Sequence, residues 1–161
     1  MATGMTLSDL TVSFEHVDPL ELLSNWVWLI GCSKLPILVS AAGDAFVEDV
    51  DSGVVYFLNV VEGTISAVAA NCDEFKSLLL DREFVASHFA VEMVGDLRQR
   101  GLVLLLGEVY SFRKPPILGG ELTFENVERA DVAVHFSLMG QLHEHVAKLP
   151  PGTPISEMKL R

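Results

Sequence analysis

Four short segments rich in β-branched and aromatic residues follow one another between residues 36 and 70. This pattern limits the possible folds more than any other feature of the chain. A short turn containing glycine separates each segment from the next, and Asp51-Ser52-Gly53 is the best of these turns for closing a hairpin. The sequence therefore predicts an antiparallel β-meander of four or more strands, with the segments PILVSA, AFVEDV, VVYFLNV and TISAVAA.

Helical patterns lie on both sides of this meander in the sequence. Residues 18–30 begin with Asp18, a good N-cap, and carry an apolar stripe. Residues 71–100 predict two helices, the first capped by Asn71 and the second running from about Arg82 to Arg100. The chain is then expected to change from strand to helix near Ser137, with the helix at 137–148. With these helices packed on one face of the sheet, the predicted fold class is α+β.

The length of 161 residues predicts a single domain, residues 1–161, with 1–17 and 154–161 at its periphery. A domain of this size buries roughly 70% of its unfolded surface, so it needs neither a disulfide nor a metal to fold. The segment KPPILGG predicts an ordered loop with Gly119 or Gly120 at positive φ. The aromatic side chains expected in the core are Trp26, Phe46, Tyr56, Phe75, Phe89 and Phe136.

The cysteines, the apolar runs and the N-terminal residues bear on the cellular compartment of the chain. Cys32 and Cys72 lie far apart with no motif around them, so free buried thiols are expected. The longest apolar runs are too short to span a bilayer. The N-terminal residues lack a basic region followed by an apolar core, so no signal peptide is predicted.

Acidic residues are concentrated in one part of the chain. The 22 acidic and 11 basic residues give a formal net charge of −11, which repels nucleic acid and anionic membranes. Residues 44–85 hold nine acids and two bases, net −7, so most of the excess lies in this stretch. Charge alone leaves two explanations open: solubility, or complementarity to a basic partner, which speeds association.

The motifs of catalysis and metal binding are incomplete. The stretch from Asp49 to Gly53 resembles a calcium-binding loop only at its start, because later acidic ligands are missing. His143 and His145 are two apart on a predicted helix and point to different faces, while His135 is expected to be a hydrogen-bonded core residue. No nucleophile or phosphate-loop motif is present, so the sequence predicts no catalytic residue, no metal site and no cofactor.

Three stretches carry a resemblance to a known family: NWVWLIG at 25–31, the hairpin sequence GDAFVEDVDSGVVYFLNVVEGTI at 43–65, and residues 114–153. Together they resemble the C-terminal domain of type VI secretion immunity proteins that neutralise DNase effectors. The most specific parts are the Gly-Asp-x-Phe hairpin, the Pro-Pro-x-Leu-Gly-Gly loop and the sequence Gly-Gln-Leu-His at residues 140–143.

The resemblance implies a single immunity-type domain in the bacterial cytosol that inhibits a toxin without being an enzyme. The implied partner is a nuclease effector with a basic surface. Neither nucleic acid nor a membrane is an expected partner. A DNase presents a basic groove to phosphate, so an acidic sheet on its inhibitor would fit that groove. The competing interpretation is a stand-alone regulatory or structural interaction module. The expected partner-binding residues are Asp44, Glu48, Asp49, Asp51, Glu62, Asp73 and Glu74.

Overall fold

The central sheet is a five-stranded antiparallel meander whose strands follow their order in the chain. The computed structural model describes residues 4–150 and 152, so the predicted peripheral segment 154–161 lies outside the described residues. Each strand pairs with the next one along the sequence, which confirms the predicted meander. The strands are β1 Thr11–Val12, β2 Lys34–Ser40, β3 Ala45–Asp49, β4 Val55–Asn59 and β5 Thr64–Ala69.

Three glycines close the turns between β2 and β5. Gly43, Gly53 and Gly63 have φ angles of +90°, +79° and +70°, a backbone conformation that residues with side chains rarely adopt. These turns bring the β-rich segments into antiparallel register, with Val47 of β3 opposite Tyr56 of β4.

A second, two-stranded sheet is formed by β6, Glu108–Phe112, and β7, Val127–Asp131. The loop between them contains the KPPILGG segment, and Gly119 has a φ angle of +88°, as predicted. Gly120 is needed for a different reason, because a Cβ atom there would lie 1.7 Å from the carbonyl oxygen of Lys114.

Within residues 4–150 and 152, six α-helices complete the α+β class predicted from the sequence. The Asp18 carboxylate accepts a hydrogen bond from the Leu20 N–H at 2.8 Å and caps the first helix, as expected. No helix in the described part of the chain is long and apolar enough to cross a membrane. The helices are α1 Pro19–Leu22, α2 Val27–Ile30, α3 Cys72–Leu78, α4 Arg82–His88, α5 Val91–Gln99 and α6 Val132–Ala147, and 3-10 turns lie at Leu7–Leu10, Ser24–Trp26, Pro116–Leu118 and Phe124–Asn126.

The helices pack on both faces of the sheet, whereas the sequence analysis places them on one. Trp26 and Phe136 belong to a cluster formed by α1, α2 and α6 on one face. Phe46 belongs to a cluster formed by α3, α4 and α5 on the other, with its ring centroid 4.8 Å from that of Phe75. The physical reason lies in the central strand β3, where residues 45–47 are all fully buried. Because successive strand residues point to opposite faces, both faces need a cover.

Five of the six predicted core aromatic side chains are buried, and the sixth is half-buried. Trp26, Phe46, Phe89 and Phe136 are fully inaccessible and Phe75 nearly so. Tyr56 keeps part of its ring exposed. The Lys34 ammonium lies 4.8 Å from its ring centroid, an arrangement in which the cation is attracted to the face of the ring.

Two of the predicted helices are interrupted. Residues 18–30 form α1, a 3-10 turn and α2 rather than one continuous helix. The helix predicted to run from residue 82 to residue 100 divides into α4 and α5 at Ala90, whose φ angle is 49°. The change of direction at this point follows Phe89, which is fully buried in the core.

Helix α6 begins at Val132 and not near Ser137, where the sequence pattern placed the change from strand to helix. The Asp131 carboxylate caps it by accepting hydrogen bonds from the Ala133 and Val134 N–H groups at 2.9 and 3.2 Å. The alternation of the segment DVAVHF is typical of a strand. Here the apolar residues 132 and 136 instead face the core at helical spacing.

Both cysteines are free, as predicted. Cys72 is half-buried, but Cys32 is exposed and not buried as expected. Its exposure follows from its position in the short connection between α2 and β2, which lies at the surface.

Candidate partner-binding site

The turn between β3 and β4 is closed by the side chain of Asp49. Its Oδ1 accepts hydrogen bonds from the N–H groups of Asp51 and Ser52 at 2.9 and 3.0 Å. Its Oδ2 lies 3.2 Å from the Lys34 ammonium and 3.0 Å from the Ser33 hydroxyl. The N–H groups of Ser52 and Asp51 hold the pKa of Asp49 well below its usual range, with smaller help from Lys34 and Ser33. Asp49 therefore stabilises the turn, and its charge is already paired.

Glu48 points to the opposite face of β3 and is also engaged. Its carboxylate accepts a hydrogen bond from the Cys72 thiol at the start of α3. This hydrogen bond, followed by burial, raises the pKa of the Cys72 thiol. Glu48 thus ties β3 to α3, and it is half-buried instead of fully exposed.

The start of α3 is organised by a local cap. The Asn71 side chain accepts a hydrogen bond from the Glu74 N–H at 2.8 Å, and the Glu74 carboxylate accepts one from the Ala70 N–H at 3.0 Å. This confirms the predicted cap at Asn71. Asp73 lies in the first turn of α3, where a negative charge interacts favourably with the helix dipole. Both Asp73 and Glu74 are exposed.

Residues 50–54 and 70–74 lie together and are called the hairpin end of the sheet. They are neighbours because Glu48, Val55 and Ala69 stand opposite one another across three strands. The exposed acids Asp51, Asp73 and Glu74 are therefore at the same end.

Two apolar side chains lie beside these acids. Val50, in the β3–β4 turn, is 54% exposed, and Leu35 is 37% exposed. Leu35 stands opposite Glu48 in the β2–β3 pair, so it belongs to the same part of the sheet. Protein–protein interfaces usually have an apolar centre bordered by polar and charged side chains.

The opposite end of the sheet, residues 41–44 and 60–63, has a different construction and is called the locked end. Asp44 is buried there, and its Oδ1 accepts a hydrogen bond from the Val60 N–H at 2.8 Å. Burial raises the pKa of Asp44 to about 7, against the lowering effect of that hydrogen bond. Asp44 was predicted to bind a partner, but its position makes it part of the core.

Two histidines of α6 fasten the locked end. His135 Nε2 lies 2.9 Å from the Gly43 carbonyl oxygen, and His143 Nε2 lies 2.9 Å from the Val60 carbonyl oxygen. A carbonyl oxygen only accepts, so each Nε2 carries the proton. Burial lowers the pKa of His135 to about 4 and also lowers that of His143. The prediction that His135 is a hydrogen-bonded core residue is confirmed, although it lies on a helix.

The turn glycines at this end are fitted to the histidine rings. A Cβ atom on Gly43 would lie 2.4 Å from His135 Nε2, and one on Gly63 would lie 2.4 Å from His143 Nδ1. The residues most specific to the family resemblance, including the Gly-Asp hairpin and His143, thus build the scaffold. Sequence analysis missed this pairing, because glycine and histidine are far apart in the chain and share no local pattern.

The seven predicted site residues therefore divide into three groups. Asp51, Asp73 and Glu74 meet at the exposed hairpin end, and the half-buried Glu48 and Asp49 support the same end from inside. Glu62 is exposed at the locked end, beside the buried Asp44. Because β3 has five residues, the two ends lie about 15 Å apart.

Comparisons with known proteins support the family resemblance in part of the chain. Residues 69–143 match the family described as the C-terminal domain of the type VI secretion immunity protein Tdi1. This range runs from the end of β5 into α6 and confirms the predicted resemblance there. A comparison with curated proteins gives no significant match.

The crystal structure of Atu4351 from Agrobacterium tumefaciens is similar to this protein in fold. It superposes with a TM-score of 0.51 at 18% sequence identity. The match covers 78% of this chain and 65% of that chain. At this identity the likeness is one of fold only. Of the exposed acids at the hairpin end, Asp73 and Glu74 fall within the family match and Asp51 lies outside it.

Proposed function

We propose that this protein is a bacterial cytoplasmic immunity protein that binds and neutralises a type VI secretion toxin. The observation that carries this proposal is the match of residues 69–143 to the immunity family. The matched range includes α3, which supplies two of the exposed acids at the hairpin end. The protein acts by binding, without catalysis, and takes no cofactor or metal.

The toxin we propose is a DNase with a basic surface. A DNase needs cationic side chains to hold the phosphates of its substrate. The net charge of −11 and the exposed acids Asp51, Asp73 and Glu74 support attraction to such a surface, and Glu62 extends the acidic field along the sheet. Val50 and Leu35 would supply apolar contact between the acids.

The proposal is tested first by co-expression. A basic nuclease-like protein from a neighbouring reading frame is the candidate toxin for this test. It is produced in a bacterial host with and without this chain, and growth, co-purification and plasmid cleavage are measured. Rescue of growth, a stable complex and loss of plasmid cleavage at equimolar protein are expected. Growth arrest that persists with this chain present, and no complex, would instead indicate a stand-alone interaction module.

The contribution of charge is tested separately at the hairpin end. Reversal of Glu48 and Asp49 would disturb the turn and the contact with Cys72, so a clean variant leaves both in place. The double change Asp51→Lys and Asp73→Lys is expected to slow association about tenfold or more at low salt, with a smaller effect at high salt.

A matched control makes the same change of net charge elsewhere. Glu121→Lys with Glu125→Lys reverses two exposed acids in the loop between β6 and β7. If both double variants slow association equally at every ionic strength, the net charge matters and the hairpin end does not. If neither slows it, the acids serve solubility.

A further inference from the structure

The outer edge of β5 carries backbone groups that no other described strand uses. Among the described strands, β5, Thr64–Ala69, is the last of the five-stranded sheet and pairs only with β4. In an antiparallel pair, alternate N–H and C=O groups of an edge strand point away from its partner. About half of the six residues of β5 therefore present such groups on the side facing away from β4.

This edge has one of the usual protections against pairing with another chain, a break in the β4–β5 register at Val68, and lacks the others. Edge strands are normally very short, charged, interrupted by proline or covered. The opposite edge strand of the same sheet, β1, has only two residues. By contrast, β5 has six residues without charge or proline, and the successive residues Ser66 and Ala67 are both exposed although they point to opposite faces.

Two helices flank the β5 edge without pairing with it. Helix α2 and helix α3 both contact β5. The residues of α2 belong to the core cluster on one face of the sheet, and those of α3 belong to the cluster on the other. The edge of β5 therefore lies between these two helices.

The charges around the edge favour a basic occupant. Glu62 is exposed before β5, Asp73 and Glu74 are exposed after it, and residues 62–75 contain no lysine or arginine. A second copy of this chain is disfavoured. Antiparallel pairing of two β5 strands would bring Glu62 of one copy near Asp73 and Glu74 of the other, and like charges repel.

We propose that the β5 edge binds an extended, basic segment of the toxin, which adds to the sheet as a sixth strand. This inference rests on the function proposed above. Main-chain hydrogen bonds would supply affinity, as in other cases of strand addition. The acids at the two ends of β5 would select a segment with lysine or arginine near its own ends.

The test is amide hydrogen exchange of the full chain, alone and bound to the toxin identified by co-purification, prepared as a catalytically inactive variant. In the free chain, alternate β5 amides should exchange rapidly. In the complex, the rapid ones should slow on the order of tenfold or more. The amides of β7, Val127–Asp131, serve as the control and should not change.

A proline variant tests the same edge by affinity. Successive residues of a strand direct their N–H groups to opposite sides, so the free-chain exchange rates show which of Ser66 and Ala67 points outward. Proline at that position leaves the β4–β5 pairing intact and should weaken the complex on the order of tenfold or more. If the variant does not fold, the exchange measurement on the unmodified chain decides.

The outcomes separate this inference from the proposed function. If a complex forms but the outward β5 amides still exchange rapidly, strand addition at the β5 edge is overturned and the proposed immunity function stands. Absence of any complex would overturn both. A dimer of the free chain in sedimentation, with those amides already protected, would identify a second copy as the occupant and also overturn the proposal.

Discussion

The two ends of the sheet contain the same kinds of residue and use them in opposite ways. Each end has a turn that contains a glycine at positive φ and an aspartate, Gly43 with Asp44 at the locked end and Gly53 with Asp51 at the hairpin end. At the locked end, Asp44 is buried and hydrogen-bonded to the neighbouring turn. At the hairpin end, Asp49 closes its own turn and leaves Asp51 in solvent.

The direction of the pKa shift distinguishes the two uses. Burial raises the pKa of Asp44 to about 7, so its charge opposes folding at neutral pH. Backbone N–H groups lower the pKa of Asp49, so its charge supports the turn. Asp44 supports the fold in its neutral form, and the charge of Asp49 is paired with Lys34. The exposed Asp51 is the acid that adds to the negative field at this surface.

The largest expected effect comes from a methyl group added at the locked end. Gly43→Ala would force an alanine into φ of +90° and place its Cβ 2.4 Å from the His135 ring. Strain and overpacking together should lower the free energy of unfolding by roughly 3 kcal/mol. Urea denaturation of the variant and the wild type measures this loss.

Gly53→Ala is the matched control at the hairpin end. Gly53 has a similar φ of +79°, but no atom lies within 4 Å of the position of an added Cβ. Only the backbone strain remains, so the expected loss is about 1 kcal/mol. Equal losses for the two variants would show that the contact with His135 does not constrain the locked end.

An effect of similar size, but dependent on pH and opposite in sign, is expected for Asp44→Asn. The amide keeps an oxygen for the Val60 N–H but does not titrate. In the wild type, the pKa of Asp44 is about 7 when folded and about 4 when unfolded. The folded chain therefore holds the extra proton in this window, and the wild type loses stability as pH rises from 4 to 7. The variant should escape this loss.

The measurement is the difference in the free energy of unfolding between the variant and the wild type from pH 4 to 8. It should rise with pH by on the order of 3–4 kcal/mol. His135, whose pKa is lowered to about 4, acts in the other direction and loses its contribution as pH falls from 6.5. It is present in both proteins, so its effect cancels. A difference independent of pH would mean that Asp44 titrates normally.

The smallest effect on stability is expected for Asp51→Asn at the hairpin end. Asp51 is exposed, and only its backbone N–H takes part in the turn, bonded to Asp49. The free energy of unfolding should change by no more than about 0.5 kcal/mol. Asp49→Ala, which removes the acceptor for two N–H groups, should lose more in the same urea denaturation assay. A large loss for Asp51→Asn would give it a structural role as well.

Local patterns predicted much of the fold. The glycine turns and β-rich segments are sufficient for the meander, and the Asn71 cap places the start of α3. Predictions of secondary structure were wrong where a local sequence pattern is compatible with two structures. The segment DVAVHF alternates like a strand, but the Asp131 cap and the contact of Phe136 with the core make it helical. The change of direction at Ala90 has no sequence signal, because alanine normally favours a continuous helix.

The candidate site was predicted less completely than the fold. The acidic residues of the stretch 44–85 could be counted from the sequence, but their separate positions in the fold could not be predicted. Asp49 and Asp51 are two residues apart, and one is paired while the other is exposed. The open edge of β5 was also outside the reach of sequence analysis, since it depends on which strand comes last in the sheet.

The sequence by itself determined the antiparallel meander, its glycine turns, the helix caps and the net charge of −11, because these depend on neighbouring residues and on composition. Only the tertiary structure decided which acids reach solvent. Asp44 is buried by contacts with Val60, and the turn that precedes it is held by His135, 92 residues away from Gly43. Such contacts form only when α6 packs on the sheet, so burial, and with it the choice between scaffold and surface, is a property of the whole fold.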